Sequence, residues 1–387
     1  MTDVHSTIEW LVDGARSAAT PEGVLAEMCA RLVAAGLPLW RVNVFVRTLH
    51  PELMGRRLRW EAGKVDIFDT PVEILGTEEF WKSPVVAIMT SGRPLRRRLR
   101  EPDCPLDFPV LEEIKAEGAT DYLITPLPFI GGETHAISWT TRAPIGFSEA
   151  EIAALEAVAV PLSRVAEIWA QRRVATNLLD TYVGRQAGAR ILAGQIRRGH
   201  TESIAAAIWL SDLRGFTELA DRTAGPALIE LLNRYFDCQV PAILAQGGEV
   251  LKYMGDGVLA IFPIAGDASA VCRAALAAAL AFRAEVAKLN GALGDDPAAR
   301  LRFGLALHVG EVLYGNIGGG NRLDFTAIGP AVNLAARLEK LARDLNRAII
   351  ASGAFAQACP QAFVPLGERQ LRGVAAPQPA FGLAEEG

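Results

Sequence analysis

The chain of 387 residues is poor in the side chains that build metal clusters and disulfide frameworks. Its five cysteines (Cys29, Cys104, Cys238, Cys272 and Cys359) are odd in number, form no Cys-x-x-Cys pair and are scattered, as are its five histidines. That pattern argues against a zinc or disulfide framework and fits a reducing compartment, so a cytoplasmic location is expected. Charge of either sign is also in short supply. The net balance of −5 is mild and acidic, which gives no reason to expect nucleic acid as a partner. No apolar run reaches membrane-spanning length. The nearest, residues 268–281, is alanine-rich and interrupted by Arg273, which suits a packed helix better. The first six residues have neither a basic start nor an apolar core, so no secretory signal is expected.

Half of the residues are apolar, and the length suits two or three domains with sizeable cores. The expected division is 1–147, 148–202 and 203–387. In the first part, two helices are expected between Ser6 and Ala35, with Pro21 opening the second. Alternation predicts strands at 39–46, 58–60, 122–130 and 136–140. Six of the seven tryptophans lie in this half, as expected for a separate core. Ser148 and Glu151 form a capping box that opens a long helix. This order of elements resembles a GAF-type sensory domain over about residues 20–170, which implies an α/β module for an unnamed small-molecule ligand. A ligand-free dimerisation domain is the alternative. The run Arg96 to Arg100 reads as a solvated face, and the lone His135 as a structural residue, since neither is accompanied by further ligands or interleaved aromatics.

Leu155, Val158, Leu162, Val165 and Trp169 recur at three- and four-residue steps, the spacing of a coiled-coil seam, although it spans barely two heptads and burial against the first domain's sheet explains part of it. Pro161 is expected to kink that helix or start a new one. Residues 148–202 thus read as a helical connector.

Two stretches organise the rest. Residues 208–217 read as an apolar strand ending in Asp212, followed by a turn at Gly215. Residues 251–260 read as two strands joined by a Gly-Asp-Gly turn with Asp256 at its tip. An acid before a glycine turn is ordinary turn chemistry. Two acids at neighbouring strand ends, however, suit a divalent cation that takes one or two carboxylates plus substrate phosphates. Gly215, Phe216 and Thr217 open a helix whose free N–H groups suit phosphate oxygens. Lys252 lies between apolar neighbours on its strand, where it either snorkels to solvent or donates to a ligand. Further on come a loop at Gly294-Asp295-Asp296-Pro297, a strand over 301–309 and a turn at Gly310-Glu311. A glycine-rich tip at 318–321 follows, then a helix opened by Pro330. Asn333 and Arg337 fall on one face of that helix, suited to a ribose and a charged phosphoryl group or to solvent.

Three motifs, Leu-Ser-Asp-Leu-Arg-Gly-Phe-Thr, Lys-Tyr-Met-Gly-Asp-Gly and Asp-Phe-Thr-Ala-Ile-Gly-Pro-Ala-Val-Asn-Leu-Ala-Ala-Arg, occur in this order. They closely resemble the catalytic domain of class III nucleotidyl cyclases over about residues 203–385. The resemblance implies an α+β chain with a ferredoxin-like βαββαβ core, and a homodimer with two sites at its interface. It implies ATP as substrate and cyclic AMP as product. It assigns Asp212, Leu213 and Asp256 to two Mg²⁺ or Mn²⁺ ions from one protomer, and Lys252, Thr326, Asn333 and Arg337 to the other. Arg337 would stabilise the transition state, Asn333 would position the ribose, and Lys252 and Thr326 would read the purine. The threonine marks a subgroup that often responds to bicarbonate, so bicarbonate stimulation is expected. A guanylate or mixed-specificity cyclase and a catalytically silent nucleotide-sensing dimer are the alternatives.

Overall fold

Strand alternation decides which face of each sheet is buried, and it does so separately in two parts of the chain. The computed structural model describes residues 3–294, 300–320 and 322–384. The chain divides into two units, Met1–Leu178 and Leu179–Gly387.

The first unit begins with helices α1 (His5–Val12) and α2 (Pro21–Ala34), the latter capped by the Thr20 hydroxyl. Strands β1 (Arg41–Arg47), β2 (Leu53–Glu61) and β3 (Lys64–Pro71) follow, then helices α3 (Glu78–Trp81) and α4 (Pro84–Ser91). Strand β4 (Leu95–Arg97), helix α5 (Pro109–Ala116), strands β5 (Asp121–Pro128) and β6 (Thr134–Thr141) and helix α6 (Glu149–Val183) complete the order. The six strands make an antiparallel sheet in the order β3-β2-β1-β6-β5-β4. Alternate residues Val42, Val44, Leu58, Trp60, Ile137 and Trp139 join the core with α2 and α6. The intervening residues, Arg41, Asn43, Arg57, Arg59, Ser138 and Thr140, line a cavity, as the period of two requires.

The capping box forms: Glu151 accepts from the Ser148 backbone at 2.7 Å, and the Ser148 hydroxyl accepts from the Glu151 N–H at 3.3 Å. Helix α6 decides between alternatives that its sequence leaves open. Leu155, Val158, Leu162 and Val165 are buried in the unit's own core, so their spacing reflects packing on this sheet. Pro161 does not start a new helix. It is buried within α6, where core packing outweighs the hydrogen bond it removes.

In the second unit, α7 (Arg185–Leu192) precedes strand β7 (Thr201–Leu213), helices α8 (Phe216–Arg222) and α9 (Gly225–Ala245), and the hairpin β8 (Glu249–Met254) and β9 (Gly257–Pro263). Helix α10 (Ala268–Leu293), strands β10 (Phe303–Gly319) and β11 (Arg322–Ile328) and helix α11 (Pro330–Asp344) follow. The chain ends with β12 (Ile349–Ser352), α12 (Gly353–Ala358), β13 (Phe363–Arg369) and β14 (Gln378–Leu383). The sheet order is β13-β14-β12-β10-β7-β9-β8, with β11 also paired to β10. Its portion β10-β7-β9-β8 is antiparallel throughout, and with α8, α9 and α10 it forms the expected βαββαβ arrangement.

Strand β7 is buried on both faces. Ala207 and Trp209 pack with Tyr235 of α9 and Phe282 of α10, while Ile208 and Leu210 pack on the opposite face with Tyr314 and Phe325. Val183, Ala187 and Ile191 join that second cluster. Buried Glu249 accepts from the Ala187 N–H at 3.2 Å and from the Tyr314 hydroxyl at 2.7 Å. The stretch 148–202 is thus divided: it packs with the first unit up to Leu178 and with the second from Leu179.

The expected turn at Gly310-Glu311 is absent. Strand β10 runs straight through, with Gly310 opposite Ala206. A Cβ at Gly310 would lie 2.8 Å from the Ala331 Cβ at the start of α11. The glycine therefore permits close approach of a helix to a strand, not chain reversal. Asp295, Asp296, Pro297 and Asn321 lie outside the described residues. Among the described residues, no helix is long and apolar enough to cross a membrane. Gly310→Val is expected to destabilise the second unit by about 1–3 kcal/mol through overpacking, read as a lower urea midpoint; an unchanged midpoint would refute the close-packing role.

Candidate active site

The β8–β9 tip presses against the end of β7. A Cβ at Gly257 would meet the Ser211 carbonyl oxygen at 2.7 Å, so the residue after Asp256 must be glycine for the tip to seat. In that position Asp256 Oδ2 accepts the Leu213 N–H at 3.2 Å, and the Asp256 carboxyl lies beside that of Asp212. Burial, followed by the hydrogen bond and charge of Asp212, pushes the Asp256 pKa up to about 6. On the other side, Arg343 donates to Asp212 Oδ2 at 2.7 Å.

These acids open on a groove of about 830 Å³ that Gly215, Phe216 and Thr217 also line. Asp212, Leu213, Asp256 and the 215–217 turn are therefore together. Lys252, Thr326, Asn333 and Arg337 do not line this groove. Lys252 Nζ donates to Asp324 Oδ2 on β11 at 3.3 Å. Thr326 is buried, and its hydroxyl has no hydrogen-bond partner among the described residues. Asn333 and Arg337 are exposed on α11. Asn333 stands ten residues before Arg343, about 15 Å along the helix axis.

Three residues at the groove were not expected from the sequence. Arg343 closes it over Asp212. Arg214 pairs with the buried Glu339 at 2.7 Å, and burial raises the Glu339 pKa. Tyr235 lies behind the acids: burial, then the charges of Asp212 and Asp256, raises its pKa, and its hydroxyl has no partner. A basic residue in the last turn of α11 and a tyrosine on the apolar face of α9 carry no local signal, because ordinary capping and packing explain both.

The other sequence candidates settle elsewhere. Arg96 pairs with Asp121 and Glu149, Arg97 with Asp107, and Arg98 with Glu101, while Arg100 donates to the Pro144 carbonyl. The basic run is thus paired within its own unit. His135 is buried, accepts from the Arg47 N–H at 3.2 Å, lies 4.0 Å from the Phe129 ring, and has its pKa lowered by burial. Among the described residues, no group of three or more His, Cys, Asp or Glu gathers. Two carboxylates are nonetheless enough for a cation whose remaining ligands are phosphates and water.

A βαββαβ sheet with paired acids at a strand end and a hairpin tip defines a candidate phosphoryl-transfer site. Residues 200–373 match the family model described as the adenylate and guanylate cyclase catalytic domain. The chain is 32% identical over 169 residues to adenylate cyclase 1 of Rhizobium meliloti (strain 1021), covering 42% of this chain and 25% of that protein. It is 32% identical over 162 residues to the adenylate cyclase of Anabaena cylindrica, covering 40% and 31%. The chain therefore spans between a quarter and a third of the length of these relatives. The structure of a bacterial light-regulated adenylyl cyclase is 31% identical, with a TM-score of 0.43, covering 48% of this chain and 92% of that one.

The raised Asp256 pKa fixes the sign of a pH effect. Between the ordinary value of 3.8 and about 6, the folded state binds more protons than the unfolded state, so stability falls as pH rises through this window. Asp256→Asn keeps an acceptor for Leu213 and removes the charge. Without divalent cations it is expected to raise Tm at pH 7.5 by roughly 2–4 °C, about 1 kcal/mol after solvent screening, with no gain below pH about 4. Calorimetry at the two pH values checks this, and an equal shift at both would remove the acid pair as its cause.

Proposed function

We propose that the chain is an adenylate cyclase, converting ATP to 3′,5′-cyclic AMP and pyrophosphate at two sites formed between two copies, with the GAF-like first unit as its regulatory part. The observation that carries this reading is the separation within one chain. The acids lie in the groove, while Lys252, Thr326, Asn333 and Arg337 lie outside it. With about 15 Å of helix between Asn333 and the Arg343 that touches Asp212, one copy does not complete the site alone. Leu313 and Ile328, opposite one another on β10 and β11, are 45% and 43% exposed. They offer apolar surface for a second copy.

The residues fit a divalent cation. Asp256, whose pKa is raised by burial and by Asp212, gains from added positive charge, and Asp212 already draws the guanidinium of Arg343. Asp212, Asp256 and the Leu213 backbone would hold two Mg²⁺ or Mn²⁺ ions, which supply positive charge to the ribose 3′-oxygen and the triphosphate. The 215–217 turn presents N–H groups to phosphate oxygens. Asn333 orients the ribose as the 3′-hydroxyl passes its proton to solvent water, its oxygen bonds to the α-phosphorus and the bond to pyrophosphate breaks. Arg337 stabilises the charge that accumulates on the phosphoryl oxygens. Lys252 donates to adenine N1, where guanine presents an N–H, and the unpartnered Thr326 hydroxyl gains a partner on the base.

Product formation from ATP and from GTP, with Mg²⁺ and with Mn²⁺, tests the activity. Cyclic AMP is expected from the unaltered protein and none from Asp212→Ala, with a higher rate in bicarbonate than in chloride at fixed pH. Cyclic GMP would overturn the base reading, and no product from either nucleotide would favour a silent nucleotide-sensing dimer. The shared site has its own test: mixing inactive Asp212→Ala with inactive Asn333→Ala is expected to restore roughly a quarter of the full rate, since half the dimers are mixed and each has one intact site. No recovery after subunit exchange would exclude the two-copy site.

A further inference from the structure

The cavity face of the first unit's sheet carries an arrangement that the cyclase reading does not use. The cavity measures about 570 Å³, within the range of roughly 300–1,000 Å³ usual for small-molecule sites. Five arginines line it, and two of them are neutralised: Arg41 pairs with Glu61 and Glu117, and Arg56 with Asp69. Arg57 and Arg59, which alternate on β2, make no ion pair among the described residues. The Phe68 ring lies 4.4 Å from the Arg57 guanidinium carbon and 5.0 Å from that of Arg59, so one ring holds the two cations side by side. Arg59 Nε is buried without an acceptor. Burial, followed by the neighbouring charges of Arg59 and Arg41, lowers the Arg57 pKa, while Glu113 acts in the opposite direction. Opposite Arg59 on β1 stands Asn43, which is 9% exposed. Its amide donates to the Ser138 hydroxyl at 3.3 Å, leaving Oδ1 buried and unpartnered.

Two unpaired guanidinium forks beside a lone acceptor form a complementary set. An anion with two or three oxygens satisfies the forks and relieves their mutual repulsion, and a donor on the same molecule satisfies Asn43. We infer that the first unit binds a small organic anion here, its carboxylate or phosphate between Arg57 and Arg59 and its hydrogen-bond donor on Asn43 Oδ1. This site lies wholly within the first unit and does not rest on the cyclase reading, so a failed product assay would leave it standing.

Titration calorimetry on the full chain tests the inference, with 4-hydroxybenzoate and phenyl phosphate as anionic probes and 4-hydroxybenzamide as the neutral counterpart of the first. Saturable binding of at least one anion is expected, displaced by inorganic phosphate, with the amide at least about ten-fold weaker than the acid. Arg57→Gln with Arg59→Gln is expected to weaken the anion at least about ten-fold, and Arg57→Lys, which keeps the charge but loses the fork, by less. No saturable binding of either anion up to about 10 mM, equal binding of acid and amide, or unchanged affinity in the double variant would overturn it. The comparison of acid with amide needs only the unaltered protein, so it decides the matter even if the double variant fails to fold.

Discussion

The candidate site depends on one close approach, that of the β8–β9 tip to the end of β7. Because Gly257 has no side chain, backbone meets backbone at the Ser211 carbonyl, and Asp256 is carried to Asp212. Two carboxyls brought together in partial burial repel each other and lose hydration. The protein answers with a raised Asp256 pKa, the Leu213 N–H and the Arg343 guanidinium. The pair is therefore held in a state that favours added positive charge. The backbone geometry that creates this strain is also the geometry that would make the pair useful.

Much of the fold was legible because alternation and helical periodicity report burial directly. Strands such as β7, apolar on both faces, announced themselves, and so did the Ser148–Glu151 cap. The failures came where one local pattern serves two purposes. Gly310 has the sequence signature of a turn but makes room for Ala331, a residue more than twenty positions away. The spacing from Leu155 to Val165 is the same whether a helix meets another helix or a sheet, and here it meets a sheet. Pro161 breaks helices in isolation, yet sits inside α6 because surrounding contacts fix the helix on both sides.

The site was partly legible for a related reason. Asp212 and Asp256 stood out because an acid after a buried apolar run has no packing role. Arg343, Arg214 and Tyr235 did not, because each has a satisfactory local explanation and acquires its place from the path of α11 or α9 across the sheet. Arg57 and Arg59 carried no signal of their own, because arginines alternating with Leu58 and Trp60 on a strand read as its solvent face. The alternate residues of the same strand face the cavity.

The segment leading into β7 has a practical consequence. Ala187 and Ile191 cover part of the sheet's second face, and the Ala187 N–H is bonded to the buried Glu249 carboxylate. A fragment excised at residue 203, where the catalytic motifs begin, would uncover apolar surface and remove a donor from that carboxylate. The motif boundary and the packing boundary of this unit differ by more than twenty residues, and a fragment beginning at Leu179 is the one that keeps its own surface intact.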